Sequence, residues 1–353
     1  MYGRIRETMP DVRVLSFHAG YRCANAGACC TSNWPIPIEV DRHARVRAAM
    51  ASGALRTVAD DHAAFVAPAD DDPETPTLLA TSHDRCVFHD PAGRCAIHSA
   101  LGHDALPLAC RQFPRVSVID PRGVSVTLSH YCPTAAALLN DGNTGNDGND
   151  RERQFILLNS PGFPPHGEYV GLDARTALPP LLRPGMLMDW ESWWMIEAAT
   201  VDVLLTSSGP ASVALGRVQR AVQRLLQWTP DQGPLTSHVT AAFAGESSSM
   251  LTIDATLVGL AMGAVPEEAR ANAPWSANAT TSETATRRFL AAHAFANWTI
   301  HLGDGLWPWW RSIETAAALL EAGAGVRQAD LVLRHLIDPK AFARALYSAP
   351  MNG

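Results

Sequence analysis

Seven cysteines carry the chemistry that this sequence offers. They are Cys23, the adjacent pair Cys29 and Cys30, Cys86 and Cys95 on either side of Asp90-Pro-Ala-Gly93, Cys110 within Cys-Arg-Gln-Phe-Pro, and Cys132; none follows in a chain of 353 residues. Random scatter would gather all seven so early roughly once in a thousand tries. Thiolates are soft metal ligands, and clustered cysteines in a chain without a visible secretion signal are more often ligands than disulfides. An odd number of thiols also cannot close into a disulfide framework. The expectation is a metal site, with Cys23, Cys29, Cys30, Cys86, Cys95, Cys110 and Cys132 as its candidate ligands.

Spacing bears on which metal. Zinc sites usually carry short Cys-x₂₋₄-Cys knuckles, and this chain has none, because five residues separate Cys23 from Cys29 and eight separate Cys86 from Cys95. Long irregular spacing suits an iron–sulfur cluster better, which makes the cluster the favoured cofactor and zinc the alternative. Cys86-Val-Phe-His89 and Cys95-Ala-Ile-His98 repeat a Cys-x-x-His pattern, but a surface or hydrogen-bonding histidine is the default there. Adjacent Cys29 and Cys30 point apart unless the chain turns sharply. Arg111, directly after Cys110, is the candidate cofactor-binding residue. Its planar fork can bond a cluster sulfide or grip a carboxylate in two places, the alternative being a salt bridge to a nearby acid.

Four local devices must aim these sulfurs: the Cys23–Cys30 segment, the turn between Cys86 and Cys95, Cys110 followed by Arg111 and ended by Pro114, and Cys132-Pro133 after a hairpin. Gly27 and its small neighbours let the backbone wrap closely before Cys29; Asp90-Pro-Ala-Gly93 makes a turn that brings Cys86 and Cys95 together. Val116–Ile119 and Val124–Leu128 are β-branched runs joined by Asp120-Pro-Arg-Gly123, a hairpin signature that delivers the chain to Cys132. Val40–Met50 reads as a helix with Asp41 as its cap. The run Asn140–Asp150, nearly all Asn, Asp and Gly, reads as a flexible loop. Beyond it the periodicity becomes helical, over Ala211–Trp228, Ile313–Leu320 and Ala329–Leu346. The expected fold is α+β: an irregular cysteine-rich region with a β-hairpin over 1–139, a loop over 140–150, and a mostly α-helical, Trp-rich region over 151–353. Nine of the ten tryptophans lie there, as core packing or as the walls of an aromatic groove.

Composition excludes several classes. A net charge of −7 argues against non-specific nucleic-acid binding, which needs clustered Lys and Arg. No apolar run spans a bilayer and no apolar leader is visible, so the expectation is a soluble, cytoplasmic protein without a nucleic-acid or membrane partner. No Gly-rich phosphate loop follows a strand.

The order of the cysteines and their flanks resembles a cysteine-cluster family described as zinc- or iron-chelating, in particular its flagellin lysine-N-methylase branch. The resemblance rests on Cys23 to Cys30, on Cys86-Val-Phe with Gly93-Arg-Cys95-Ala-Ile, on Pro107-Leu-Ala-Cys110-Arg-Gln-Phe-Pro114 and on Ser129-His-Tyr-Cys132-Pro133, and it covers about the first 140 residues. Leu101-Gly-His-Asp-Ala-Leu106 and Cys132-Pro-Thr-Ala-Ala-Ala-Leu138 are further points of likeness to the methylase branch. One departure is Ala26, where the family often has another cysteine. The resemblance implies methyl transfer from S-adenosylmethionine to a lysine of a protein or peptide substrate, with a cluster at or near the cofactor and the helical half forming a substrate groove. No catalytic base stands out. The competing expectations are a non-catalytic zinc- or iron-chelating protein and another cluster-dependent peptide-modifying or redox enzyme.

Overall fold

β-branched residues on both sides of Asp120-Pro-Arg-Gly123 build the hairpin from which the rest of the sheet grows. In the structure, a computed structural model, residues 11–348 are described except 33, 58–62, 68–75, 84, 141–154, 166, 246–248, 268–280, 303 and 335. The strands in chain order are β1 (Val12–Leu15), β2 (Phe65–Val66), β3 (Leu78–Leu79), β4 (Thr81–Ser82), β5 (Arg85–Cys86), β6 (Arg115–Asp120), β7 (Gly123–Leu128), β8 (Ile156–Leu158), β9 (Leu172–Asp173), β10 (Leu181–Arg183) and β11 (Met186–Leu187). β6 and β7 pair antiparallel in register from Arg115↔Leu128 to Asp120↔Gly123. The Asp120 carboxylate closes the turn by accepting from the Arg122 amide at 2.8 Å.

The main sheet has the order β8-β1-β7-β6-β9, with β1 parallel to β7 and β9 parallel to β6. β7 is its central strand and is buried on both faces. Val124, Val126 and Leu128 enter one core with Val12, Val14 and Cys132, while Thr127, on the alternate face, donates to the Ala292 carbonyl at 2.8 Å. β2–β3, β4–β5 and β10–β11 are separate two-stranded pairs.

The fold is α+β, and its second half is helical over 190–206, 211–226, 235–243, 256–263, 283–294, 306–321, 326–334 and 339–348. Helix Leu306–Glu321 is buried along nearly its whole length, which is the behaviour of a helix apolar on every side. Asp189 caps helix Trp190–Thr206 through the Ser192 amide at 2.7 Å. No helix among the described residues is long and apolar enough to cross a membrane.

Four expectations change. The division at 140–150 does not separate two units: β8 and β9, from beyond it, flank a sheet begun before it, and Leu15, Val118 and Leu139 share a core with the helices. The loop itself lies outside the described residues apart from Asn140. The single helix expected over 329–346 is two, Val326–Arg334 and Pro339–Ser348, because proline lacks the amide a continuing helix would need. The helix begins at Val40 with Glu39, not Asp41, at its cap. The clustered tryptophans are core rather than a groove facing the sulfurs: Trp193, Trp309 and Trp310 are fully buried, Trp193 meets Trp309 edge-on at 5.4 Å, and none of the eight described tryptophans beyond residue 150 lines the cysteine cavity.

Candidate metal centre

Gly27 is where the first device is set. Its φ of +70° suits glycine alone, and a side chain there would press into the Gly93 carbonyl and the His89 ring. That close approach docks the 23–30 segment on the turn between Cys86 and Cys95. The chain then winds into a short 3-10 turn over Ala28–Cys30, with the Cys30 amide donating to the Gly27 carbonyl at 2.9 Å. This tight winding is what lets the adjacent Cys29 and Cys30 contribute to one cluster.

The second device is the turn foreseen in sequence. Cys86 ends β5, the Gly93 amide donates to the Asp90 carbonyl at 2.9 Å, and the Asp90 side chain accepts from the Arg94 amide at 2.8 Å. Cys95 stands before helix Ala96–Leu101. Cys110 sits on helix Leu108–Gln112, whose first amide, Leu108, donates to the Glu39 carboxylate at 3.0 Å.

Cys29, Cys30, Cys86 and Cys95 line the same cavity, near enough that their acidities are tied together. The three neighbouring sulfurs, together with burial, hold the proton on Cys30 and push its acidity far down. Nearness to the protonated Cys30 pulls the other three the opposite way: Cys29 and Cys86 are lowered, and Cys95 falls to about 7. Backbone amides add to this, from Phe88 to the Cys86 sulfur and from His98 and Ile97 to the Cys95 sulfur. Amide–sulfur bonds of this kind are a main means by which proteins tune thiolate-bound metals. Cys110 is raised by burial and then by the charge of Cys29, Cys86 and Cys95.

All seven cysteines line one cavity of about 130 Å³. Cys132 is buried in the wall, its sulfur 3.9 Å from the Tyr21 hydroxyl. Cys23 is exposed, 3.8 Å from the Asn25 side-chain oxygen. Arg22, Arg111, Arg115, His98 and His103 also line the cavity, and Ile36, Leu79, Ile97, Leu106 and Phe113 supply its apolar surface. The structure thus brings all seven cysteines to one cavity, with Cys29, Cys30, Cys86, Cys95 and Cys110 in electrostatic reach of one another and Cys23 and Cys132 on the walls. Among the described residues, no group of three or more His, Cys, Asp or Glu is placed to hold a metal ion. The donor chemistry fits a thiophilic metal.

Arg111 makes a two-pronged ion pair with Glu168, at 2.8 and 3.2 Å, while its Nε has no protein partner. The carboxylate it holds therefore comes from a distant part of the chain and not from a neighbouring acid. His130, two residues before Cys132, turns away from the sulfurs and meets His18 at 3.1 Å.

Sequence reasoning missed the residues that brace the site from the helical side. Asp330 accepts from the Ser129 hydroxyl at 2.5 Å and from the Tyr131 amide at 3.2 Å, and Arg327 donates to the Tyr131 carbonyl at 2.9 Å. The Tyr131 hydroxyl in turn donates to the Thr31 carbonyl at 2.8 Å. One helix, Val326–Arg334, thereby fixes both the approach to Cys132 and the end of the Cys29–Cys30 turn. Nothing local in the sequence marks Asp330 for that role. The chain matches no protein-family model, no curated protein and no solved structure.

Proposed function

We propose that the cavity holds an iron–sulfur cluster on Cys29, Cys30, Cys86 and Cys95, with Cys110 as the adjacent thiol, and that the protein methylates a lysine of a protein or peptide with S-adenosylmethionine. One observation carries the metal reading: all seven cysteines line one cavity of about 130 Å³, where the acidities of Cys29, Cys30, Cys86 and Cys95 are tied to one another. Thiols crowded in this way without a cation are electrostatically frustrated, since the ionisation of one opposes that of the next. The methylase half rests on the resemblance of the cysteine flanks and on the arginines of the cavity.

A bound cluster would supply a Lewis-acidic iron and the positive charge that lets neighbouring thiols ionise together. Arg111 has the geometry to grip the carboxylate of the cofactor's methionine end, because Glu168 is half-exposed and can yield the fork to a stronger-held carboxylate. The apolar wall of Ile36, Ile97 and Phe113 keeps water from the sulfonium. In the transfer, the neutral lysine amine attacks the methyl carbon, the methyl–sulfur bond breaks with its electron pair staying on sulfur, and the amine releases a proton.

Zinc on the same four sulfurs, in a protein without catalysis, is the second reading, favoured by the match between four thiols and tetrahedral coordination. Anaerobic purification with iron, acid-labile sulfide and zinc measured together separates the two. Near-equal iron and sulfide with broad absorption near ~400 nm is expected; colourless protein with stoichiometric zinc overturns the cluster. Calorimetry of S-adenosylmethionine on metallated protein tests the rest, and absence of binding leaves a metal-binding protein without methylase activity.

A further inference from the structure

Arg115 lines two cavities, that of the cysteines and a second of about 590 Å³, a volume within the ~300–1,000 Å³ usual for small-molecule sites. A narrow cleft with Cys29 and Cys110 in its wall lies against both, sharing Arg115 with each and Trp34 and Arg334 with the second. The walls of the second cavity are apolar, and Val170, Trp298 and Ile337 remain 49%, 44% and 70% exposed there. Large apolar side chains left in water around one concavity mark a binding site more often than a chance surface.

Its polar groups are incomplete. Arg115 Nε, Ser117 Oγ and His293 Nε2 are buried, belong to residues lining this cavity, and have no hydrogen-bond partner among the described residues. A buried donor left unsatisfied costs about 1–3 kcal/mol, so three around one space favour a ligand that completes them. Charge decides its sign. Arg115, Arg334 and Lys340 line the cavity against a single acid, Asp338. Asp338 is already engaged, accepting from the Ala341 amide at 2.9 Å. Arg334 is neutralised in part by Asp330 at 3.6 Å, which leaves Arg115 and Lys340 as the lining cations without a carboxylate partner among the described residues; Arg115 donates to the Arg111 carbonyl at 3.3 Å and stands over the Phe163 ring.

We propose that this cavity binds an amphipathic carboxylate, its apolar body against Trp298, Leu333 and Ile337 and its carboxylate on Arg115 and Ser117. An ammonium is disfavoured by the same cations. The site stands apart from the metal reading, since none of its lining residues is a candidate ligand, although Arg115 places a bound carboxylate one side chain away from the cysteine cavity.

Decanoate, titrated calorimetrically below its micelle concentration into the whole 353-residue chain as purified, is the probe. A dissociation constant at or below ~0.1 mM is expected, with decanol and decylamine weaker by about tenfold or more. Ile337→Glu, at an exposed wall position, should weaken decanoate by about tenfold, and Lys340→Glu should weaken it less, with circular dichroism and metal content unchanged in both. No heat from decanoate up to about 1 mM overturns the site, equal affinity for decanol overturns the carboxylate, and wild-type affinity in Ile337→Glu overturns the location.

Discussion

The region around the sulfurs and the region of the helices are stabilised in different ways. In the helical region Trp193, Phe289, Trp309, Trp310 and Ile313 interlock with helix after helix in one continuous core, and a buried ion network sits inside it. There Arg311 donates to Asp254 and to Glu314, each at 2.7 Å, with all three side chains about 2% exposed. Around the sulfurs, strands are two residues long, the helices bearing Cys110 and following Cys95 run to five or six, and one longer helix, Val40–Ala51, supplies Val46 to a small core with Ile38, Leu55, Phe88, Ile97 and Leu106. A core of that size contributes little against chain entropy. The thiols stand where apolar packing is thinnest, so under the proposed metal site binding and folding would share one free energy there, whereas the helical region rests on apolar burial and its internal ion network.

Breaking the comparison at its sulfur end should give the largest effect. Cys30→Ala removes one of the four proposed ligands, the buried one, and binding energies at structural thiolate sites run to about 10–16 kcal/mol. Metal content measured by elemental analysis should collapse while far-UV helicity persists; full metal content in Cys30→Ala would mean that Cys30 is not a ligand. At the helical end, Arg311→Met strands two buried carboxylates and should cost about 3–5 kcal/mol in urea unfolding, with metal stoichiometry per folded molecule unchanged.

Acid sharpens the contrast. Burial, aided by Arg334, pushes the His293 imidazole down to about 3, while an unfolded histidine titrates near ~6.5. Between those values the unfolded chain takes up a proton that the native state refuses, so stability falls as the pH falls through that window. The helical core should lose about 2–3 kcal/mol between pH ~6.5 and ~4.5, read from urea midpoints, and His293→Gln should flatten that slope. Smallest in stability is Arg111→Lys, which loses the fork on Glu168 for less than about 1 kcal/mol. Its S-adenosylmethionine heat should nevertheless drop sharply with metal retained, and unchanged binding would detach Arg111 from the cofactor.

Patterns carried by neighbours in sequence were legible. The Asp120-Pro-Arg-Gly123 hairpin, the Asp90–Gly93 turn and the helix over 211–226 follow from turn chemistry and periodicity, because each is decided within one turn or strand. Illegible were features that depend on distant partners. The bidentate pair of Arg111 with Glu168 spans the 140–150 run, and the strand order β8-β1-β7-β6-β9 interleaves both halves of the chain. The tryptophan pattern also fits a groove or a core equally well until helix Leu306–Glu321 is surrounded.

By itself the sequence determined which atoms are available: seven thiols in one third of the chain, a glycine before the Cys29–Cys30 turn and a turn between Cys86 and Cys95. Tertiary structure alone decided that all seven cysteines line one cavity, and that Asp330 braces the segment leading to Cys132. The physical reason is range. Local backbone preference acts over a few residues, whereas meeting of sulfurs and bracing by a remote carboxylate depend on which surfaces the whole chain must bury together.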